Sequence, residues 1–328
     1  MRKSLITDLE ACKKLWNSLI PAKNLFDLWE FRLCFQRHFL HKPHFILLED
    51  RKGIAGMLPL SYVEDLDMFV FFPGETWRGK TWIERNPIYL REESLLSALP
   101  SFCPERTYLR YMEVLDEAYS PDLVIDEIGY VLYPPNINFD LTVYGQRFSN
   151  KKFKAIMKVI KTFGGADSAL HLNRLDDLDV LINMSLQHFG PASYLYDRRF
   201  RDGFRELIHS LYDKGWLRMM SLEIDGKTAA VDTGALFGGT YTVFLGGTHP
   251  DFMGVAKVMN MHHIEFACQK GIQKVDFLCG DFHWKKLWHL DPEPLYKFVS
   301  PSLRFGEETD QVLHNIFPHM TMEERSAT

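Results

Sequence analysis

The sequence predicts an α/β protein with mixed sheets, built as two copies of one arrangement. Three observations predict it. The stretch 217–278 reads as three short apolar strands joined by Asp225-Gly226 and Gly238-Gly239, then a helix, then a further strand. Paired Asp-Gly and Gly-Gly residues suit the positive φ angles of tight hairpins, so the three strands form a meander, and the helix that follows makes the unit α/β. The same order of elements, strand, helix, helix and three strands, can be read in both halves of the chain, which implies a tandem duplication.

In the first half, 5–8 opens as a strand and Leu9, Leu15, Trp16 and Leu19 fall at helical spacing behind a cap at Thr7 or Asp8. A second amphipathic helix is expected over 26–39. Strands follow at 45–48, 54–61 and 68–72, with Arg51-Lys52-Gly53 as the first turn. Beyond Phe72 come Pro73-Gly74, Arg78-Gly79 and Asn86-Pro87, and only a short helix is expected, over 92–99. The first half thus lacks a long crossover helix, and its remnant cleft is a place for an acceptor instead of a donor. Pro134-Pro135-Asn136 marks the break, giving expected domains of 1–145 and 146–328.

The second half opens with a basic helix over 148–163. Arg147, Lys151, Lys152, Lys154, Lys158 and Lys161 place six cations within fifteen residues, opposite an apolar face of Phe153, Ile156, Met157 and Ile160. This is either a solvated helix face or a surface for phosphates, with Lys151 and Lys152 as substrate-binding candidates. A strand at 169–175 and helices at 176–189 and 198–214 precede the meander of 217–224, 229–237 and 241–245. The crossover helix over 254–270 is apolar on two stripes and should be nearly all buried. Gly246-Gly247 closes the third strand and Gly254 opens that helix, leaving bare backbone at a helix N-terminus, a geometry that suits an anionic ligand. A strand at 274–278 follows, with final strands at 295–298 and 302–305 and a polar tail from about 320 that should fray.

Composition narrows the function classes. The 328 residues suffice for two domains, and 46% hydrophobic with 25% charged residues is a globular composition. The net charge of −5 gives no global attraction to DNA or anionic lipid. Aromatics, at 14%, imply large cores or an apolar cleft. Cys12, Cys34, Cys103, Cys268 and Cys279 have no metal or redox spacing and read as reduced thiols. The acidic residues soon after Met1 exclude a secretory signal and no apolar run reaches membrane length, so a cytoplasmic location without a membrane span is expected. Oligomeric state is not expressed in the sequence.

Gly280-Asp281-Phe282-His283-Trp284-Lys285-Lys286-Leu287-Trp288, directly after Asp276-Phe277-Leu278, together with Ile224-Asp225-Gly226-Lys227 and Ala229-Ala230, resembles the GNAT-type N-acyltransferases. The resemblance is to the branch described after the cellulose-biosynthesis protein CelD, related to the Fem aminoacyltransferases. It implies a tandem duplicated GNAT-like fold with a degenerate first copy. It also implies transfer of an acyl group, acetyl first, from acyl-CoA to a primary amine of a small molecule, glycan or peptide, by direct attack on the thioester. The class is thus an acyltransferase for groups other than aminoacyl, with no metal. On this pattern Phe244, Leu245, Gly246 and Gly247 hold the thioester end and Gly254, Val255, Ala256 and Lys257 the pyrophosphate. Lys285, Asp281, His283 and Tyr241 are the catalytic candidates and Trp284 lines the substrate cleft.

Each of these has a plainer alternative. Lys285 can snorkel from a helix whose Trp284 and Trp288 are core, Asp281 and His283 can cap a loop, and Tyr241 and His249 can be ordinary strand and loop residues. The chain also departs from the coenzyme A pattern, which has Arg or Gln where Asp251 stands, three residues before Gly254. A carboxylate there opposes a pyrophosphate unless it caps the helix. Two rivals follow: a Fem-type transferase using aminoacyl-tRNA, and a binding protein that keeps the fold without turnover. His262-His263 shows no third ligand for a metal. Gly-x-Ser-x-Gly and His-Glu-x-x-His are absent, and Gly79-Lys80-Thr81 lacks the upstream glycine of a phosphate loop.

Overall fold

A computed structural model of the chain describes residues 1–78, 81–113, 123–165, 167–280 and 282–304. Asp281, the strand end at Phe305, the tail from 320 and Gly79-Lys80 lie outside the described residues. The chain divides into two compact units, one of Met1–Glu127 with the residues from Pro294 on, the other of Ile128–Glu293.

In the first unit, β1 (Arg2–Ile6), α1 (Leu9–Leu19), α2 (Trp29–Phe39), β2 (Lys42–Asp50), β3 (Gly53–Val63) and β4 (Met68–Phe71) follow in the order the sequence implies, and the strands pair antiparallel as β1-β2-β3-β4. Asp8 caps α1 by accepting from the Ala11 N–H. Helix α2 begins later than the periodicity suggests, because residues 25–27 close a 3₁₀ turn under an Asn24–Asp27 capping box. β5 (Tyr89–Leu90) joins β3, and the expected helix at 92–99 is a 3₁₀ turn over Glu93–Ala98 running into the four-residue α3 (Leu99–Phe102). β6 (Tyr108–Met112) then meets β4 in a parallel bridge between Phe69 and Thr107.

Alternation along β2 explains its continuous apolar run. Phe45 and Leu47 face Trp16, Trp29 and Phe72, whereas Ile46 and Leu48 face Leu96, Leu99 and Phe102 on the other side. The abundant aromatics are therefore core: Trp29 stacks on Phe72 with centroids 4.9 Å apart. At its centre the Arg32 guanidinium, 1% exposed, donates to the carbonyls of Phe26, Phe72 and Arg85 and to the Asn86 side chain. Burial lowers its pKa to about 10, with Glu75 and Asp27 pulling the other way.

The second unit contains part of β7 (Leu123–Leu132), α4 (Leu141–Gly145), α5 (Asn150–Phe163), β8 (Ser168–Leu172), α6 (Asp177–Phe189), α7 (Arg198–Asp213), β9 (Leu217–Ile224), β10 (Lys227–Phe237), β11 (Thr240–Thr248), α8 (Ala256–Gln269), β12 (Lys274–Cys279) and α9 (His283–Leu287). The sheet runs β8-β9-β10-β11-β12-β7. Both expected hairpins are present, with φ of 49° and 72° at Asp225-Gly226 and 57° and 78° at Gly238-Gly239. The strand expected at 169–175 stops at Leu172, since Asn173 turns to φ 53° and its side chain accepts from the Met219 N–H.

β13 (Asp291–Val299) and α10 (Pro301–Arg304) end the described chain. Residues 301–304 are helical where a strand is expected, because the Leu303 N–H bonds the Ser300 carbonyl in a turn opened by Pro301. The final strands are exchanged between the halves of the sequence. Tyr296, Phe298 and Val299 pair with β6 in the first unit, and Gly129, Val131 and Leu132 pair with β12 in the second. Compact units and sequence halves therefore do not coincide, and the expected domain bounds of 1–145 and 146–328 follow the sequence repeat instead.

Arg32→Met removes the donors to four buried acceptors at once. It is expected to lower unfolding free energy by about 3 kcal/mol or more, read as a leftward shift of the urea denaturation curve.

Candidate functional site

The site is a place where two neighbouring strands part. β11 and β12 pair in parallel only from Thr240–Lys274 to Thr242–Asp276, although β11 continues to Thr248. On its other side β11 stays with β10, and the register slips between Asp232 and Gly234 so that Phe244 and Leu245 face Thr233 alone. The Thr233 hydroxyl donates to the Leu245 carbonyl at 3.0 Å and accepts from its N–H at 3.4 Å. Gly246 and Gly247 follow this bulge, and both are closely approached. A Cβ on Gly247 would lie 2.9 Å from the Met184 side chain on α6, and one on Gly246 only 2.2 Å from an oxygen of Asp232.

What holds β12 away from β11 is the motif at 276–288. The buried Asp276 carboxylate accepts from the Leu278 N–H at 2.9 Å, Leu278 takes φ 60°, and Gly280 takes φ 97°. At this turn β12 has left β11, while Cys279 still pairs with Gly129 of β7. The carbonyls of Leu278 and Cys279 both accept from the ammonium of Lys285, which is 2% exposed on α9. The rings of Tyr130, Phe282 and Trp284 surround that ammonium at 5.5 to 5.8 Å. Burying an ammonium costs several kcal/mol, and charge-assisted bonds to two carbonyls with π faces around it offset that cost. Lys285 does not snorkel: it is a buried lock on the strand end. Trp284 packs half-buried against Phe277, and His283 is exposed at the start of α9.

The helix after β11 begins two residues later than the sequence implies. Gly254 has φ 90°, and α8 starts at Ala256 with no side chain capping it. Val255 is buried, and Gly254, Ala256 and Lys257 are exposed. Asp251 does not cap the helix. It is exposed and lies 3.7 Å from His249, whose Nδ1 accepts from the Asp251 N–H. α5 packs beside this end through Val159, Ile160 and Phe163 against Phe252 and Val255. All five of its lysines, Lys151 and Lys152 among them, are exposed. Met157, expected on the apolar face, is 43% exposed, since the buried stripe runs through Phe153, Ile156 and Ile160.

Tyr241 lies behind the cleft floor instead of in the cleft. It is fully buried, and its hydroxyl bonds His263 Nδ1 at 2.8 Å, while His263 Nε2 bonds Asp232 at 2.9 Å. Burial raises the Tyr241 pKa. The contacts of His263 with Asp232 and with Tyr241 were not legible, because separations of 31 and 22 positions match no local motif. Among the described residues no group of three His, Cys, Asp or Glu could hold a metal ion.

Residues 151–286 match the family model of the acetyltransferase (GNAT) domain. The match covers β8 to β12, the cleft and Lys285. A search of curated protein sequences gives no match. Among solved structures, L-PGS from Bacillus licheniformis superposes with a TM-score of 0.57 at 11% identity, covering 94% of this chain and 96% of that one. FemX superposes at 0.55 and 10% identity over 97% and 100% of the two chains. An acetyltransferase of the GNAT family from Colwellia psychrerythraea superposes at 0.50 and 9% identity over 92% and 100%. At such identities the likeness is one of fold: the protein has a mixed α/β GNAT-type fold along nearly its whole length.

Lys285→Met is expected to remove the charge-assisted bonds to the Leu278 and Cys279 carbonyls and lower unfolding free energy by about 2–4 kcal/mol, measured by urea denaturation.

Proposed function

We propose that the second unit transfers an acyl group, acetyl first, from acyl-CoA to a primary amine. The observation that carries this reading is the parted β11–β12 pair with a bulge at Phe244–Leu245 and an uncapped helix start at Gly254–Lys257 on the same strand–loop–helix connection. The bulge offers backbone to the thioester end of a carrier. The N-terminus of α8, with the exposed Lys257, offers partial positive charge to its phosphates. Attack by a neutral amine at the carbonyl carbon places negative charge on the carbonyl oxygen, where backbone dipoles beside Phe244–Gly247 stabilise it without reorganising. Lys285 contributes by holding the cleft open. His283, exposed, and Trp284, half-buried, stand at the acceptor end, and Asp281 belongs to the same loop by sequence. The acceptor is a small-molecule, glycan or peptide amine.

The motif at 276–288 supports the CelD-like branch. Among the described residues no helix is long and apolar enough to cross a membrane, and the five cysteines are free thiols. The thiols support a reducing compartment, the cytoplasm. One observation favours a second reading, aminoacyl transfer from tRNA: five exposed lysines on α5 flank the phosphate end, beside which Asp251 stands exposed.

Calorimetric titration with acetyl-CoA, a longer acyl-CoA and free coenzyme A tests the first reading. Saturable binding is expected, weakened about two- to fivefold by Lys257→Ala, the effect of one exposed cation at a helix start. Binding to none of the three would overturn it in favour of the tRNA-borne donor.

A further inference from the structure

Four polar side chains from three strands and one helix form a single row under the floor of the cleft, and the acyl-transfer reading uses none of them. Arg218 on β9 stands next to Tyr241 on β11, where its positive charge acts on the phenol, with its guanidinium carbon 3.6 Å from the centroid of the Phe266 ring. Tyr241 bonds His263 on α8, and His263 bonds Asp232 on β10. A carboxylate only accepts, so His263 Nε2–H gives to Asp232 Oδ2, and in the neutral tautomer that donates there His263 Nδ1 accepts from the Tyr241 hydroxyl. Tyr241 and His263 are both fully buried.

Two glycines border this row. A Cβ on Gly234 would fall 2.8 Å from the Tyr241 ring and 2.6 Å from the Thr242 carbonyl, so glycine lets the ring lie across β10. A Cβ on Gly246 would fall 2.2 Å from Asp232 Oδ1. Asp232 Oδ1 is thus pressed against the backbone of the bulge, where Gly246 is exposed because β12 has left. Oδ2 is taken by His263. Among the described residues Oδ1 has no hydrogen-bond partner, and the Asp232 side chain is 13% exposed.

We infer that Asp232 is the residue that receives the acceptor amine and takes its proton, with His263, Tyr241 and Arg218 as positioning residues behind it. The inference rests on the acyl-carrier reading above, which places the reacting carbonyl beside Phe244–Gly247. As the nitrogen–carbon bond forms, the nitrogen gains positive charge and its proton passes to Asp232 Oδ1. The bond from the carbonyl carbon to the carrier's sulfur breaks with its electron pair on sulfur, and the proton moves from Oδ1 to that sulfur. The carboxylate is regenerated, and no other reactant is needed. The row behind Asp232 fixes which oxygen faces the cleft and satisfies the other, so the carboxylate is preorganised instead of solvated. A negative group beside the carbonyl also stabilises the positive charge that the attacking nitrogen gains, which an ammonium held at that place imitates.

The test needs no knowledge of the natural acceptor. S-(2-aminoethyl)-coenzyme A carries an ammonium near the position of an attacking amine, and S-ethyl-coenzyme A lacks it. Titrated calorimetrically into the full chain, the aminoethyl compound is expected to bind about tenfold more tightly. Asp232→Asn should abolish that preference and leave S-ethyl affinity unchanged. Tyr241→Phe, which keeps the ring packing and cuts the row, should reduce the preference without removing it. Equal affinities in the unaltered chain overturn the assignment, as does a preference that survives Asp232→Asn. A preference untouched by Tyr241→Phe overturns the positioning role. If neither compound binds the unaltered chain, the acyl-carrier reading fails, and this inference with it.

Discussion

The Lys285 ammonium bound to the carbonyls of Leu278 and Cys279 is the interaction from which the rest of the second unit takes its shape. A parallel strand that continued regularly past Asp276 would pair with β11 and close the cleft. Two features go with the departure of β12: the Asp276 carboxylate captures the Leu278 N–H, and the Leu278 and Cys279 carbonyls accept from a buried cation. The bulge in β11, the exposed Gly246 and the start of α8 all border the gap that results. The specific signature at 276–288 is thus first a device for parting two strands, and a site by consequence.

The two units show what the same order of elements does with and without a long crossover. Both run strand, helix, helix and a three-stranded antiparallel meander, and both return to a parallel neighbour of the third meander strand. In the second unit a fourteen-residue helix makes the return, and its N-terminus faces the loop after Gly247. In the first unit a 3₁₀ turn and four helical residues do so. A short connection buries Leu96, Leu99 and Phe102 against the sheet but presents no helix dipole of comparable length.

Much of this architecture was legible in the sequence because its signals are local. Hairpin glycines fixed the meander, period-two alternation hid inside apolar runs but glycines bounded them, and the stripes of α8 gave its burial. The exchange of the last strands was not legible, since nothing in 123–132 or 291–299 states which sheet edge it will meet. Lys285 was singled out, yet its burial was not foreseen: a lysine beside two tryptophans reads equally as a snorkelling side chain until the turned carbonyls are known. Asp232 was not singled out and His263 was weighed only as a metal ligand, for a different reason. Their meaning lies in a bond across 31 positions, and Gly234 and Gly246, which make room for it, look like ordinary strand and turn glycines.

The central claim is that the gap between β11 and β12 holds an acyl carrier. Hydrogen exchange of backbone amides with and without acetyl-CoA tests it most directly. The account predicts added protection concentrated at 244–247 and 254–257, with the amides of β8 and β9 unchanged. Protection elsewhere with none in those two segments would contradict it.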